Sequence, residues 1–283
     1  MLRLTIILGI LTLSTAAEPS TKGVDLKLIS SVKGISPNAT FTLGVEIRHH
    51  PGFHTYWKNP GAVGYPTRIH WKLPQGFTVG PLRWPAPEMS DMAGNPVFGY
   101  KSDVTLLVDL TAPGKLDPTV EIDAAISWMA CSRECHPGTE TFSLSLPSSA
   151  QTTPDPATKA AFLEAERQIP QELKAWDAIV ESKNDDERIS LLLIPPAGIQ
   201  DFGAIRFFSS DGQISSDPAP RITKLKDGRI RITAPRARFS PENVSSLPFV
   251  IVAEKPLNPD GSHFGTLDPC YPTQGATQND PTP

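Results

Sequence analysis

The chain has 283 residues, which is enough for about two domains of ordinary size. Its 26 Lys and Arg residues against 30 Asp and Glu residues give a formal net charge of −4, without a run of like charges, so no nucleic-acid partner is expected. Thirty prolines disfavour a helical bundle and favour short strands joined by turns.

Residues 1–17 have the pattern of a signal peptide. Arg3 precedes an apolar segment over 4–13, and small residues follow at 14–17. The apolar segment is about half of the ~20 residues that a membrane-spanning helix needs, and no later segment is apolar for long enough. We therefore expect the mature chain to be soluble outside the cytoplasm and peripheral to a membrane at most, in a compartment where two close cysteines can form a disulfide.

The next 130 or so residues predict an antiparallel β-sandwich of immunoglobulin-like size, since about seven short strands are separated by turn signals. Residues 40–49 alternate between apolar and polar side chains, as a strand with one buried face does. We expect an aromatic loop over 54–61 and an irregular segment over 84–100. The predicted strands are 24–32, 40–49, 67–73, 77–79, 104–110, 120–128 and 139–146.

A helical segment is predicted over 157–183, where Pro170 divides it into two helices. Its apolar stripe is expected to pack on the neighbouring sheets. The stripe consists of Phe162, Ala165, Ile169, Leu173, Trp176 and Val180.

A second, smaller β-sandwich-like domain is predicted after this segment, with a hairpin over 221–232 whose turn is Asp227-Gly228. The predicted fold is thus mainly β, with a short helical segment between two sandwiches. The predicted boundaries are 1–17 for the signal peptide, 18–147 for an immunoglobulin-like redox domain, 148–187 for the linker and helices, 188–256 for the second β domain and 257–283 for a flexible tail.

Cys131 and Cys135 are the candidate reactive residues, at the end of a predicted strand and before an expected Pro137-Gly138 turn. In the chain-entropy model, closing a loop of about five residues stabilises a fold by only about 2 kcal/mol. A tight ring also tends to be strained and more easily reduced. The spacing therefore suits a redox couple, which needs no organic cofactor. A structural disulfide in a non-catalytic interaction module is one alternative.

Copper handling is the other alternative, because thiolate, thioether and imidazole groups are the ligands that copper takes. In its narrowest form the metal set is Cys131, Cys135 and His136. Zinc is less expected, since no second cysteine pair is present. The third cysteine, Cys270, is either an incidental thiol, an intermolecular disulfide partner or a resolving thiol. The wider copper set adds His49, His50, His54, Met89, Met92 and Met129.

Three motifs together resemble the DsbD amino-terminal domain family, most closely its suppressor-of-copper-sensitivity and DipZ-like branch. These are the 54–61 stretch His-Thr-Tyr-Trp-Lys-Asn-Pro-Gly with Gly64, then Gly99-Tyr100, then the 128–138 stretch Trp-Met-Ala-Cys-x3-Cys-His-Pro-Gly. The resemblance covers about 24–147 well and continues more loosely through Phe207-Phe208 and 247–249.

The resemblance implies a protein-disulfide reductase type of activity, in which Cys131 and Cys135 cycle between dithiol and disulfide. A membrane-embedded thiol reductase would supply the electrons, and thioredoxin-like periplasmic proteins would accept them. Full-length members continue into a membrane domain and a thioredoxin-like domain, which this sequence lacks, and a separate donor is therefore expected. The better-known enterobacterial member has a wider cysteine spacing. The implied surroundings of the pair are Tyr56, Trp57, Asn59, Trp128 and His136, with Phe98 and Tyr100 as a cap.

Overall fold

The computed structural model describes residues 23–182, 186–199, 201–258 and 260–272, so the predicted signal peptide lies outside the described residues. In the first half of the chain the strands are β1 (Val24–Ser30), β2 (Val32–Gly34), β3 (Thr40–His49), β4 (Thr55–Gly61), β5 (Arg68–Lys72), β6 (Thr78–Val79), β7 (Glu88–Met92), β8 (Asn95–Tyr100), β9 (Val104–Thr111), β10 (Thr119–Cys131) and β11 (Cys135–Pro147). Then follow β12 (Thr153–Pro154), α1 (Lys159–Gln168), β13 (Asp177–Val180), β14 (Arg188–Ile194), β15 (Ile205–Ser209), β16 (Arg221–Lys224), β17 (Ile230–Pro235), β18 (Phe249–Ala253) and β19 (Phe264–Leu267).

Two antiparallel sheets form the first unit, with strand orders β1–β3–β9–β6 and β11–β10–β5. Alternate residues of β3 and β10 point into the space between the sheets, so apolar side chains from both fill one core. The predicted antiparallel sandwich is confirmed. Its buried residues from these two strands include Phe41, Leu43, Val45, Ile47, Ile122, Ala124, Ile126 and Trp128.

A third, small sheet with the order β4–β8–β7 corrects two expectations. The expected aromatic loop over 54–61 is largely strand β4, which pairs with β8. The expected irregular segment over 84–100 contains the β7–β8 hairpin. Its turn residues Ala93 and Gly94 have φ angles of 53° and 85°, the left-handed pair that a two-residue hairpin turn uses.

Only the first of the two predicted helices forms. Helix α1 covers the outer face of the first sheet, where Phe162 and Ala165 pack against Ile29 and Leu107. The helix ends at Ile169, whose backbone is extended because the following proline disfavours helical geometry in the residue before it. Beyond this proline the prediction of a second helix was wrong.

The segment after α1 pairs with β19 instead of coiling. The Leu173 amide donates to the Thr266 carbonyl at 3.1 Å, and the Thr266 amide donates to the Gln171 carbonyl at 2.9 Å. The Trp176 indole N–H donates to the Leu257 carbonyl at 3.0 Å. These long-range hydrogen bonds satisfy the backbone and indole groups without a helix, so the periodic apolar residues are buried as predicted but in another conformation.

The second unit has sheets with the orders β13–β14–β17–β16 and β15–β18–β19 around a separate core. The predicted hairpin is confirmed, because β16 and β17 are antiparallel neighbours joined through Asp227 and Gly228. Two segments expected to lack strands contribute them: β12 of the predicted linker pairs with β2, and β19 of the predicted flexible tail pairs with β18. In the part of the chain that the structure describes, no helix is long and apolar enough to cross a membrane.

Replacing Leu173 with alanine should destabilise the protein by about 2–5 kcal/mol, because the side chain is fully buried against Gly265 of β19. Chemical denaturation followed by circular dichroism measures the change. Leu163→Ala, on the exposed face of α1 at 52% exposure, is the matched control and should cost far less. Equal losses in the two variants would contradict the packing described for the 169–176 segment.

Candidate functional site: a disulfide between one exposed and one buried cysteine

The two cysteines close the tip of the β10–β11 hairpin. Cys131 and Cys135 face each other in the strand register and are joined by a disulfide, with a Cα–Cα distance of 4.1 Å. The turn consists of the three residues between them, where the Ser132 amide donates to the Glu134 carbonyl at 3.0 Å. The expected Pro137-Gly138 turn was wrong, since both residues lie in β11. A proline is tolerated there because β11 is an edge strand.

The two sulfur-bearing residues differ in exposure. Cys131 is fully buried, whereas Cys135 is exposed. Cys131 is held by its backbone, because its amide and carbonyl each make a 2.9 Å hydrogen bond with His54, just before β4. Of the two residues, Cys135 is thus the one that faces solvent, and we expect an incoming thiolate to attack it rather than Cys131.

Tyr56 on β4 touches the buried sulfur. Its hydroxyl donates a hydrogen bond to Cys131 Sγ at 3.0 Å and lies 4.0 Å from Cys135 Sγ. The ring is 1% exposed and meets the ring of His54 edge-on at 5.2 Å between centroids. Burial raises the pKa of Tyr56, so the hydroxyl keeps its proton at neutral pH and faces the sulfur as a donor.

Gly64 is the residue that makes room for the Tyr56 ring. Its φ of 110° lies in the left-handed region, and a methyl group on its Cα would overlap the ring. The loop that carries Gly64 also exposes two large apolar side chains, Val63 at 40% and Tyr65 at 65%. The motif therefore needs a glycine at position 64, because any side chain there would overlap the Tyr56 ring.

The β7–β8 hairpin covers the buried end of the disulfide. Val97 is fully buried in one cluster with Tyr56 and Cys131, and Met92 and Met129 pack against this cluster. The residue pattern alone did not indicate Val97 as a covering residue. Recognising 95–100 as a strand would have indicated it, because alternate residues of a strand face opposite sides.

Phe98 and Tyr100, the expected cap, lie on the other face of β8 and do not cover the disulfide. Phe98 is buried edge-on against Phe208 of the second unit, with 5.0 Å between ring centroids. The Tyr100 hydroxyl donates to the Pro85 carbonyl at 2.9 Å. Both side chains therefore serve the core of the first unit.

Trp57 and Asn59 also point away from the cysteines. Trp57 is buried in the first core and meets Phe208 at 6.3 Å between ring centroids. The Asn59 side-chain amide donates to the Ser209 carbonyl at 2.7 Å. Of the motif residues on β4, only Tyr56 contacts the disulfide.

The remaining two predicted neighbours flank the hairpin tip. Trp128 is buried on the core face of β10, and its ring lies so close to Gly138 that a methyl group there would overlap it. The half-buried His136 packs against Phe53 at 5.7 Å between ring centroids. Trp128 thus supports the hairpin from beneath, and His136 borders its exposed side.

Part of the wider copper set does lie near the cysteine pair, where Met92 and Met129 pack against the cluster of Cys131 and His54 pairs with the Cys131 backbone. Met89, by contrast, is 38% exposed. The third cysteine, Cys270, is a free and exposed thiol on a segment that bridges to Ser246. Over the described ranges, no group of three or more His, Cys, Asp and Glu side chains could hold a metal ion.

The fold and site thus consist of an immunoglobulin-like antiparallel sandwich with a disulfide at the tip of one hairpin. The sequence profile described as "Thiol:disulfide interchange protein DsbD, N-terminal" matches residues 29–147. The predicted resemblance to the DsbD amino-terminal domain family is therefore confirmed over residues 29–147.

Solved structures extend the likeness beyond the matched residues. The N-terminal periplasmic domain of ScsB from Proteus mirabilis is 16% identical and has a TM-score of 0.65, over 91% of this chain and 97% of that one. At this identity the likeness concerns the fold, which includes both units. A cohesin module from a Clostridium perfringens family 33 glycoside hydrolase is 9% identical over 44% of this chain and 97% of that one, with a TM-score of 0.31. No curated protein matches the sequence significantly.

The stability of the protein should fall as the pH is lowered from about 6.5 to 4, because of His49 at the end of β3. Its side chain is 2% exposed and bonded to the Thr55 hydroxyl at 2.8 Å, and burial lowers the pKa of His49 to about 4. Below pH 6.5, His49 becomes protonated in the unfolded chain but stays neutral in the folded chain. This difference lowers the free energy of unfolding by up to about 3 kcal/mol at pH 4. Urea denaturation at several pH values measures this loss.

His49→Gln should remove most of this pH dependence, whereas His70→Gln on the exposed face of β5 should leave it unchanged. A remaining slope from His54 is expected, because burial lowers the pKa of His54 as well. The same slope in His49→Gln as in the unmodified protein would contradict the assignment.

Proposed function

We propose that this chain is a periplasmic thiol–disulfide relay. Its Cys131–Cys135 disulfide would accept two electrons from a membrane-embedded thiol reductase and pass them to thioredoxin-like proteins. One observation carries the proposal: an exposed cysteine, Cys135, is bonded to a buried one, Cys131, whose sulfur already receives a hydrogen bond from Tyr56. The family match supports interchange chemistry, and the donor, the acceptor and the compartment are proposed from it.

In the first half-reaction, a donor thiolate attacks Cys135 Sγ in line with the disulfide. A mixed disulfide forms between the donor and Cys135, and Cys131 leaves as a thiolate. A second donor thiolate then attacks the donor sulfur of the mixed disulfide and releases Cys135 as a thiolate. The donor ends as a disulfide, and both cysteines of this chain end reduced after two protons are taken up.

The second half-reaction runs the same exchange in the opposite sense. The Cys135 thiolate attacks the disulfide of an oxidised acceptor, and Cys131 then attacks Cys135 Sγ of the resulting mixed disulfide. This step releases the acceptor as a dithiol and restores the Cys131–Cys135 bond. Cys135 thus meets both partners, while Cys131 is the internal leaving group and resolving thiol.

Tyr56 favours this division of roles. When Cys131 leaves, negative charge develops on the sulfur that already accepts the Tyr56 hydrogen bond at 3.0 Å. A hydrogen bond to a charged acceptor is worth more than one to a neutral acceptor, so the contact strengthens as the bond breaks. Such a difference between ground state and transition state is what accelerates a chemical step.

Mixed-disulfide trapping tests the proposed division of roles. In a Cys270→Ser background, Cys131→Ala should form a stable adduct with a thioredoxin-like protein whose resolving cysteine is replaced by serine and whose remaining cysteine is activated as a disulfide with thionitrobenzoate. Cys135 is exposed and displaces the thionitrobenzoate, and neither protein then holds a thiol that can resolve the adduct. Cys135→Ala, which retains only buried Cys131, should form little adduct. Non-reducing gels and mass spectrometry measure the adducts. No adduct from either variant would overturn the relay, and adduct from Cys135→Ala alone would reverse the roles.

Tyr56→Phe should slow reduction of the disulfide by dithiothreitol about tenfold, the rate equivalent of one charge-assisted hydrogen bond of about 1.4 kcal/mol. Stopped-flow mixing with alkylation of the released thiols measures the rate. Tyr271→Phe is the matched control, since it removes a buried hydroxyl that donates to Gln213 at 2.8 Å in the second unit. Equal rates for Tyr56→Phe and the unmodified protein would exclude the role given to the hydroxyl.

A further inference from the structure

The two units share a packed seam in which one aromatic side chain of the second unit completes the core of the first. Phe208 of β15 is fully buried, and its ring meets the rings of Phe98 and Trp57 edge-on at 5.0 and 6.3 Å. Phe207, the preceding residue, points the other way and packs on Phe249 in the core of the second unit. The alternation of β15 therefore assigns one phenylalanine to each core.

Two polar contacts hold the same seam on either side of Phe208. On β4, Asn59 donates to the Ser209 carbonyl at 2.7 Å in a buried hydrogen bond. On β8, the Pro96 carbonyl accepts a hydrogen bond from the Ser216 hydroxyl at 3.2 Å. The second unit is thus hydrogen-bonded to both β4 and β8 of the small sheet.

These two strands are also the ones that place side chains on the buried sulfur. Trp57 and Phe98 face the second unit, whereas their neighbours Tyr56 and Val97 face Cys131. Neighbouring residues of a strand share one backbone, and close packing leaves little room on either side of it. A shift of β4 or β8 on the Phe208 side is therefore expected to move Tyr56 and Val97 on the cysteine side.

We propose that the second β unit is a positioning element for the disulfide, and that Phe208 is its principal positioning residue. By packing against Trp57 and Phe98, it holds the Tyr56 hydroxyl at hydrogen-bond distance from Cys131 Sγ. This inference gives the second unit a part in the exchange reaction, and it rests on the proposed function for its biological meaning. Its physical content, a coupling between Phe208 and Tyr56, stands apart from any partner.

A double-mutant cycle on the full chain tests the coupling. Phe208→Ala should slow reduction by dithiothreitol about threefold or more when Tyr56 is present, as expected for residues coupled through one packed network. In a Tyr56→Phe background, Phe208→Ala should change the rate less than about 1.5-fold, because the hydroxyl that it positions is already gone. A general loss of packing would slow both backgrounds equally.

Phe207→Ala is the matched control, since it removes the same side chain from the opposite face of β15. It should lower stability comparably and leave the reduction rate within about 1.5-fold of the unmodified protein. The inference is overturned if Phe208→Ala leaves the rate unchanged, if it slows both backgrounds equally, or if Phe207→Ala slows the reaction as much.

If either phenylalanine variant fails to fold, two serine variants that disturb the packing less test the same coupling. Ser216→Ala removes the hydrogen bond to Pro96, whereas Ser215→Ala removes one to Asp217 within the second unit. Only Ser216→Ala should slow the reaction, by about twofold and only when Tyr56 is present; equal effects overturn the inference. These rates are measured with dithiothreitol and do not depend on a protein partner. If no thioredoxin-like protein exchanges with the chain, the proposed relay is refuted, but the coupling between Phe208 and Tyr56 can still be measured.

Discussion

The hydrogen bond from Tyr56 to the sulfur of Cys131 is the contact on which the rest of the site depends. This hydrogen bond requires the buried Tyr56 ring on β4 and a glycine at 64 that leaves room for the ring. It also requires the backbone pairing between His54 and Cys131, which holds the tip of the β10–β11 hairpin next to β4. With these contacts in place, Cys131 is buried and its sulfur accepts a hydrogen bond, whereas Cys135 is exposed at the turn. Because of this difference in surroundings, the two cysteines are not equivalent in an exchange reaction: Cys135 is the expected point of attack and Cys131 the expected leaving group.

The two-residue repeat of a strand explains why the surrounding aromatic residues have such different tasks. Tyr56 and Trp57 are neighbours, yet one touches the disulfide and the other touches the second unit. The same holds for Val97 and Phe98. A small sheet of three strands therefore has the disulfide on one face and the brace from β15 on the other, and this arrangement ties the two units of the chain into one site.

Much of this could be predicted from residue patterns, and the failures have physical causes. Alternation in 40–49 and the spacing of Cys131 and Cys135 were local signals, so the sandwich and the disulfide followed from them. The helix predicted after Pro170 failed because the apolar stripe is buried by pairing with β19, a long-range contact that periodicity does not contain. Phe98 and Tyr100 were expected as a cap from the family resemblance alone. The alternation that places Val97 on the cysteine side was not visible, because the segment around it was predicted to be irregular.

The disulfide closes a ring of five residues, so it contributes only about 2 kcal/mol to stability in the chain-entropy model, and the surrounding sandwich has a large core of its own. A bond of so little structural value, with one exposed cysteine, is suited to being broken and remade. The equilibrium reduction potential of the Cys131–Cys135 pair, measured against a glutathione or dithiothreitol buffer, tests this most directly. A value less negative than about −300 mV is predicted for an exchanging pair, and a value well below about −300 mV would mark a structural disulfide and contradict the account.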